Sequence, residues 1–205
     1  LDNYGLFGVF IEITAIELAN CFFVRDCVAS PCPVVTSCYH RGRKAIRRAA
    51  YVLVVQIAAA FVSYYLARAF FSLGIHPVHS EVAQATECSS DLTVALTTGA
   101  AIEAAAVFLG KAVENVASDR YPDSIYQYLV NSAFSGFICM LGINFTGLYG
   151  NPIVASACTF NCMGPSHIGH LIVYWISPIA AWYAAEFVFG YEEEEELEED
   201  KDKKE

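Results

Sequence analysis

The chain has 205 residues, 56% of them hydrophobic, with a mean hydropathy of +0.41 and a formal net charge of −10, a composition too apolar for an ordinary soluble domain. The charge misdescribes the body, because residues 192–205 hold ten acids and three lysines, a net of −7, which leaves about −3 for the rest by subtraction. No basic stripe suits nucleic acid, no glycine-rich loop suits a phosphate, and no nucleophile, base and orienting group stand at a readable spacing. Nucleic-acid binding and catalysis therefore fall away as first readings, and neither a cofactor nor a metal is expected.

The chain reads in order as five long apolar stretches. Residues 6–24 form the first, about long enough to span hydrocarbon, and carry Glu12, Glu17 and Asn20. Cys32-Pro33-Val34-Val35-Thr36 then reads as a short helix, to about residue 39, with Pro in its first turn. Ser30-Pro31-Cys32 offers a second register two residues earlier, and the small apolar run after Pro33 favours the later one. Residues 40–48 hold the concentrated positive run and belong on the cytoplasmic side. The second stretch, 49–73, carries Gln56 and Arg68, the latter placed to snorkel. Residues 75–90, with His76, His79 and Glu87, follow on the far side. The third stretch, 92–113, is interrupted by Glu103 and Lys111, and residues 111–123 return to the cytoplasmic side. Residues 125–145 and 168–189 are the fourth and fifth stretches. The acidic tail is then cytoplasmic and, having no apolar face, is expected to be disordered. Residue 1 falls on the outer side, so a further span is expected before it.

Between the fourth and fifth stretches lies Thr146-Gly147-Leu148-Tyr149-Gly150-Asn151-Pro152-Ile153-Val154. Asn151 is a good N-cap, Pro152 suits the first helical position, and Gly147 and Gly150 permit a sharp turn into a helix of about residues 152–161. Neither this helix nor the one at Cys32-Pro33 can cross a bilayer, and both suit re-entrant segments buried in protein. Two such half-helices, one per half of a hydrophobic chain, point to a pore at a repeat interface.

Three smaller features have plain readings. The eight cysteines (21, 27, 32, 38, 88, 139, 158 and 162) lie mostly in or beside apolar stretches without paired metal-ligand spacing, so most read as small hydrophobes. His167 and His170 are too few for a zinc site. The glycosylation pattern Asn144-Phe145-Thr146 sits at the membrane edge, too close for modification.

Five spans with two Pro-started half-helices, on these residues, look like an aquaporin lacking its first helix. Ala50-Tyr51 with Gln56 resembles the start of that family's third helix, Glu103 its buried glutamate of the fourth, and Ser118-Asp119-Arg120 the loop that follows. Val173-Tyr174-Trp175 with Pro178 resembles the last helix. The first box reads Cys32-Pro33-Val34, the second Asn151-Pro152-Ile153, and Val154 stands where an arginine is common; this combination is similar to the unorthodox, largely intracellular aquaporin-11/12-like (superaquaporin) branch. The resemblance implies an all-α membrane channel domain over residues 1–190, a separate tail over 191–205, and a homotetramer with one pore per subunit.

The implied pore is lined by Cys32, Pro33, Val34, Asn151, Pro152 and Ile153, with Leu148, Val154 and Cys139 as its narrow filter. Glu103 and Gln56 are implied as structural support, Glu103 by accepting hydrogen bonds from the loop before Asn151. One of Glu12 and Glu17 is expected to approach the pore. An apolar filter without a guanidinium suits water and small neutral solutes such as glycerol or hydrogen peroxide. Lys201 and Lys203 resemble a dilysine retrieval signal, which suits the endoplasmic reticulum, with the plasma membrane as the other site. The competing readings are a non-conducting scaffold or adhesion protein and, more weakly, an intramembrane enzyme using Cys32, His170 or Glu17.

Overall fold

The computed structural model describes residues 4–24, 27–41, 43–85, 87–122 and 124–190. The acidic tail, with its expected disorder and dilysine pattern, lies outside the described residues.

Five helices among the described residues are long and apolar enough to cross a membrane. They are α1 (Gly5–Phe23), α3 (Arg43–Phe71), α5 (Leu96–Arg120), α6 (Ile125–Thr146) and a last span made of α8 (His167–Leu171), a π-helical turn (Ile172–Ile176) and α9 (Ser177–Phe189). The 19 residues of α1 measure about 28 Å, close to the hydrocarbon thickness. The half-helices are α2 (Cys32–Arg41) and α7 (Pro152–Thr159), and a short helix α4 (Pro77–Gln84), absent from the expected elements, follows α3. The apolar stretches understated two spans: α3 starts at Arg43 and α5 runs to Arg120, because polar helical ends extend beyond the hydrocarbon.

The helix ends follow from local chemistry. Ser124 caps α6 through its side chain, and Gly147 closes it at φ +80°, a left-handed conformation glycine adopts freely. In the last span the Ser177 N–H bonds to the Ile172 carbonyl five residues back, and Pro178, lacking an N–H, follows immediately.

Packing places the half-helices between the spans. Helix α1 lies along α6, and α5 lies against α6, the π turn and α9. Helix α2 packs on α3 and α9, while α7 packs on α3 and the π turn, so α3 touches both half-helices. A Cβ at Gly136 would come within 2.2 Å of Thr14 Oγ1 and 2.7 Å of the Phe10 carbonyl, so glycine sets the close approach of α1 and α6. None of the residues of α1 is buried, and α3 exposes Tyr51, Val54, Phe61, Tyr65 and Leu66. Apolar area on that scale suits hydrocarbon or protein rather than water.

The cysteines correct the sequence reading. Cys88 and Cys162, 74 residues apart, form a disulfide. Of the six free thiols only Cys32 is buried, while Cys27 and Cys158 are exposed. The disulfide takes two of the eight cysteines out of the small-hydrophobe reading, which the buried Cys32 fits best. Spacing could not reveal the pair, because its partners meet only once α4 and α7 are folded onto the same end of the bundle.

Candidate functional site

The second half-helix is approached by a strained loop that one carboxylate holds. Glu103, fully buried on α5, accepts from Thr146 Oγ1 (2.7 Å) and Tyr149 N (3.2 Å) at one oxygen and from Gly150 N (2.8 Å) at the other. Thr146 Oγ1 in turn accepts from Leu148 N at 3.1 Å. The loop needs this support, since Leu148 has φ +44°, between Gly147 and Gly150 at φ +80° and +55°; a non-glycine residue there costs on the order of 1–3 kcal/mol. A carboxylate at membrane depth is itself costly unless paired, and these donors are its partners.

Asn151 then starts α7, with its Oδ1 accepting from Ile153 N at 3.0 Å. Its Nδ2 donates to the Ala29 carbonyl at 3.1 Å, which ties the second half-helix to the segment entering the first. That segment is also held by Gln56, whose Nε2 donates to the Val28 carbonyl at 2.7 Å.

The first half-helix corrects the favoured register. Ser30 Oγ accepts from Cys32 N at 3.3 Å, two residues on, as Asn151 does for Ile153. Pro31 and Pro152 are both among the fully buried side chains, whereas Pro33 is only half-buried. The matched boxes are therefore Ser30-Pro31-Cys32 and Asn151-Pro152-Ile153. Two prolines in alternate positions made both registers readable, but serine is a strong N-cap and cysteine is not, and that signal would have decided it.

A cavity of about 1060 Å³ runs past this meeting point. At the disulfide end it is lined by Ser90, Asp91, Thr93, Asn144 and Tyr149, and midway by Ser30, Cys139, Leu148, Asn151 and Val154. Toward the far end it is lined by Glu17, Lys111, Glu114, Asn131 and Trp182. Its lining on α6 runs from Asn131 to Asn144, 13 residues or about 20 Å, so the cavity follows more than half the length of a span. Cys32, 1% exposed, is not part of the lining, and neither are Pro33, Val34, Pro152 or Ile153. Of the two acids on α1, Glu17 lines the cavity and Glu12 does not. Val154 is 43% exposed, with no guanidinium beside it among the described lining residues.

Residues that sequence reasoning missed hold the frame. Glu186 on α9, 6% exposed, accepts from Thr36 Oγ1 at 2.9 Å and from Trp182 Nε1 at 2.6 Å, fastening α2 to the last span. An acid in an apolar span demands such partners, which was the available signal. His170 Nε2 lies 3.1 Å from Thr159 Oγ1, and Trp175 Nε1 donates to Ser156 Oγ at 2.8 Å. Both contacts bind α7 to the last span, a structural use of His170. Lys111 pairs with Glu114 at 3.1 Å and lies over the Trp182 ring.

Comparison with known proteins gives a likeness in sequence. The chain is similar to aquaporin-11 of Milnesium tardigradum, 25% identical over an alignment of 183 residues, with 86% of this chain and 62% of that protein covered. It thus spans about three-fifths of the relative's length. No family model matches the chain, and no solved structure matches it. The helical bundle and its five apolar spans are those of a multi-pass membrane protein, and the likeness to an aquaporin is one of sequence at 25% identity.

Proposed function

We propose that the chain forms a channel for passive movement of water and small neutral solutes such as glycerol or hydrogen peroxide, with the cavity as its conduit. The observation that carries this reading is the meeting of two half-helix starts, Ser30-Pro31 and Asn151-Pro152, at the middle of a lengthwise cavity. The N-terminal ends of α2 and α7 bring partial positive charge there, which opposes cations and protons, while Asn151 offers an amide to a passing oxygen. Leu148, Val154 and Cys139 line the same region and leave it more apolar than a strictly water-selective filter.

Two independent arguments support one orientation. The basic run at residues 40–48 lies where α2 passes into α3, and the 29-residue α3 carries the chain about 43 Å away toward α4 and the Cys88–Cys162 disulfide. Basic residues favour the cytoplasmic side and disulfides an oxidising one. The disulfide end therefore faces the lumen or the exterior. We infer further, from the resemblance, a homotetramer in the endoplasmic reticulum membrane; crosslinking in membranes and organelle fractionation test these two points.

The thiol response tests the conduit. In vesicles carrying the chain, osmotic and glycerol gradients are expected to relax faster than in empty vesicles, and a mercurial is expected to block that flux. Block lost in Cys139→Ser and kept in Cys32→Ala is the expected pattern, since Cys139 lines the cavity and Cys32 is buried. The reverse pattern would contradict the assigned path.

A further inference from the structure

The disulfide end of the cavity carries a fixed carboxylate that neither half-helix explains. Asp91 lines the cavity there, and the Tyr149 hydroxyl donates to its Oδ2 through a short hydrogen bond. Both partners are held from several sides. Tyr149 N is bonded to Glu103, and its ring packs edge-on against Tyr174 at 5.7 Å, whose hydroxyl donates to the Thr146 carbonyl at 2.8 Å.

The Asp91 backbone is pinned before and after the residue. Before it, Cys88 is disulfide-bonded to Cys162, Met163 N donates to the Cys88 carbonyl at 2.9 Å, and Ser90 N donates to the Met163 carbonyl at 2.8 Å. After it, Thr93 N donates to the Phe145 carbonyl at 3.0 Å and Thr93 Oγ1 to the Asn144 carbonyl at 2.8 Å. Gly147 lets the two side chains meet: a Cβ there would lie 2.6 Å from the Tyr149 ring and 3.1 Å from Asp91 Cβ.

The charge at this end is of one sign. Among the described residues lining the cavity, the cation is Lys111, fifteen residues beyond Leu96 on α5 and so about 22 Å along the helix axis. A carboxylate accepts hydrogen bonds and donates none when ionised. With Tyr149 occupying one oxygen, the remaining acceptor capacity of Asp91 is available to a solute in the mouth. Nearby, the Thr93 hydroxyl is already given to a carbonyl, and Ser90 and Asn144 can donate as well as accept, so Asp91 is the charged acceptor at this mouth.

We propose that Asp91, held by Tyr149 beneath the Cys88–Cys162 disulfide, selects hydroxyl-bearing neutral solutes, small polyols, at this mouth. The proposal rests on the transport reading above and deepens it. A polyol presents several O–H donors to the fixed carboxylate, and an anion of the same size is repelled.

The test is the ratio of glycerol to water permeability of the full chain in vesicles, read by light scattering for wild type, Asp91→Asn, Asp91→Glu and Tyr149→Phe. A hydrogen bond to a charged acceptor is stronger than one to a neutral amide by about 1 kcal/mol, so Asp91→Asn is expected to lower the ratio about fivefold. Asp91→Glu, which keeps the charge, is expected to recover a large part of it, an outcome that a merely structural role would not produce. Tyr149→Phe, which leaves Asp91 in place but unanchored, is expected to lower the ratio about twofold. Should Asp91→Asn fail to reach the vesicles, the Tyr149→Phe ratio decides in its place, and no change there overturns the proposal. Measurable flux with an unchanged ratio in Asp91→Asn, or a ratio in Asp91→Glu as low as in Asp91→Asn, overturns the proposal and leaves the transport reading standing. No flux of either solute from inserted wild type overturns both.

Discussion

The two half-helices occupy equivalent places but are held by different means. The loop before α7 hangs on one buried carboxylate, Glu103, which takes three hydrogen bonds from Thr146, Tyr149 and Gly150. The approach to α2 is held at separate points: Gln56 on the Val28 carbonyl, Asn151 on the Ala29 carbonyl, and Glu186 on Thr36 four residues into the helix. Concentrated support suits a strained loop with Leu148 at positive φ, because one fixed group over-determines several torsions. Distributed support suits the segment that carries Ser30-Pro31-Cys32, since no single loss releases it. The half with the more demanding backbone thus has the more fragile anchor.

That contrast can be broken most sharply at Glu103. Glu103→Ala leaves the buried Thr146 hydroxyl and the half-buried Tyr149 and Gly150 N–H groups without their acceptor, a loss of about 4 kcal/mol. In a chain of this size that corresponds to a fall in Tm of about 12 °C, measured on the detergent-solubilised protein. A fall no larger than that of the next variant would remove the distinction between the two anchors. Glu186→Ala frees α2 from the last span but leaves Gln56 and Asn151 in place, with an expected loss of about 2 kcal/mol and a Tm lower by about 6 °C. Ser30→Ala removes only an N-cap, about 1 kcal/mol or 3 °C. A Cys32→Ala variant that fell further than Ser30→Ala would reopen the choice of register.

Much of this arrangement could be read from the chain alone. The five spans followed from runs of apolar residues, and the second box from Asn151 and Pro152, whose cap and first-turn preferences are local. That Glu103 needs donors was legible from a lone acid in an apolar span, while the loop before Asn151 as their source was implied by the aquaporin resemblance. Other features depend on who meets whom after folding. Cys88 and Cys162 are joined across 74 residues, Thr36 and Glu186 across 150, and Asp91 reaches Tyr149 across 58. No periodicity encodes such meetings. The first box failed for a different reason: Pro31 and Pro33 suit a helix start equally by shape, and the capping serine before Pro31, the local signal that separates them, was outweighed by the apolar run after Pro33.

The central claim is that solutes pass through the cavity beside the meeting point of Ser30 and Asn151. The most direct measurement is stopped-flow light scattering on vesicles carrying the full chain or its Val154→Trp variant, under an osmotic gradient and a glycerol gradient. Val154 is 43% exposed and lines the cavity next to Asn151, so an indole there fills the path without touching either anchor. The account predicts flux above empty vesicles for wild type and its loss in Val154→Trp at equal insertion. Flux that survives in Val154→Trp, or none from correctly inserted wild type, would contradict it.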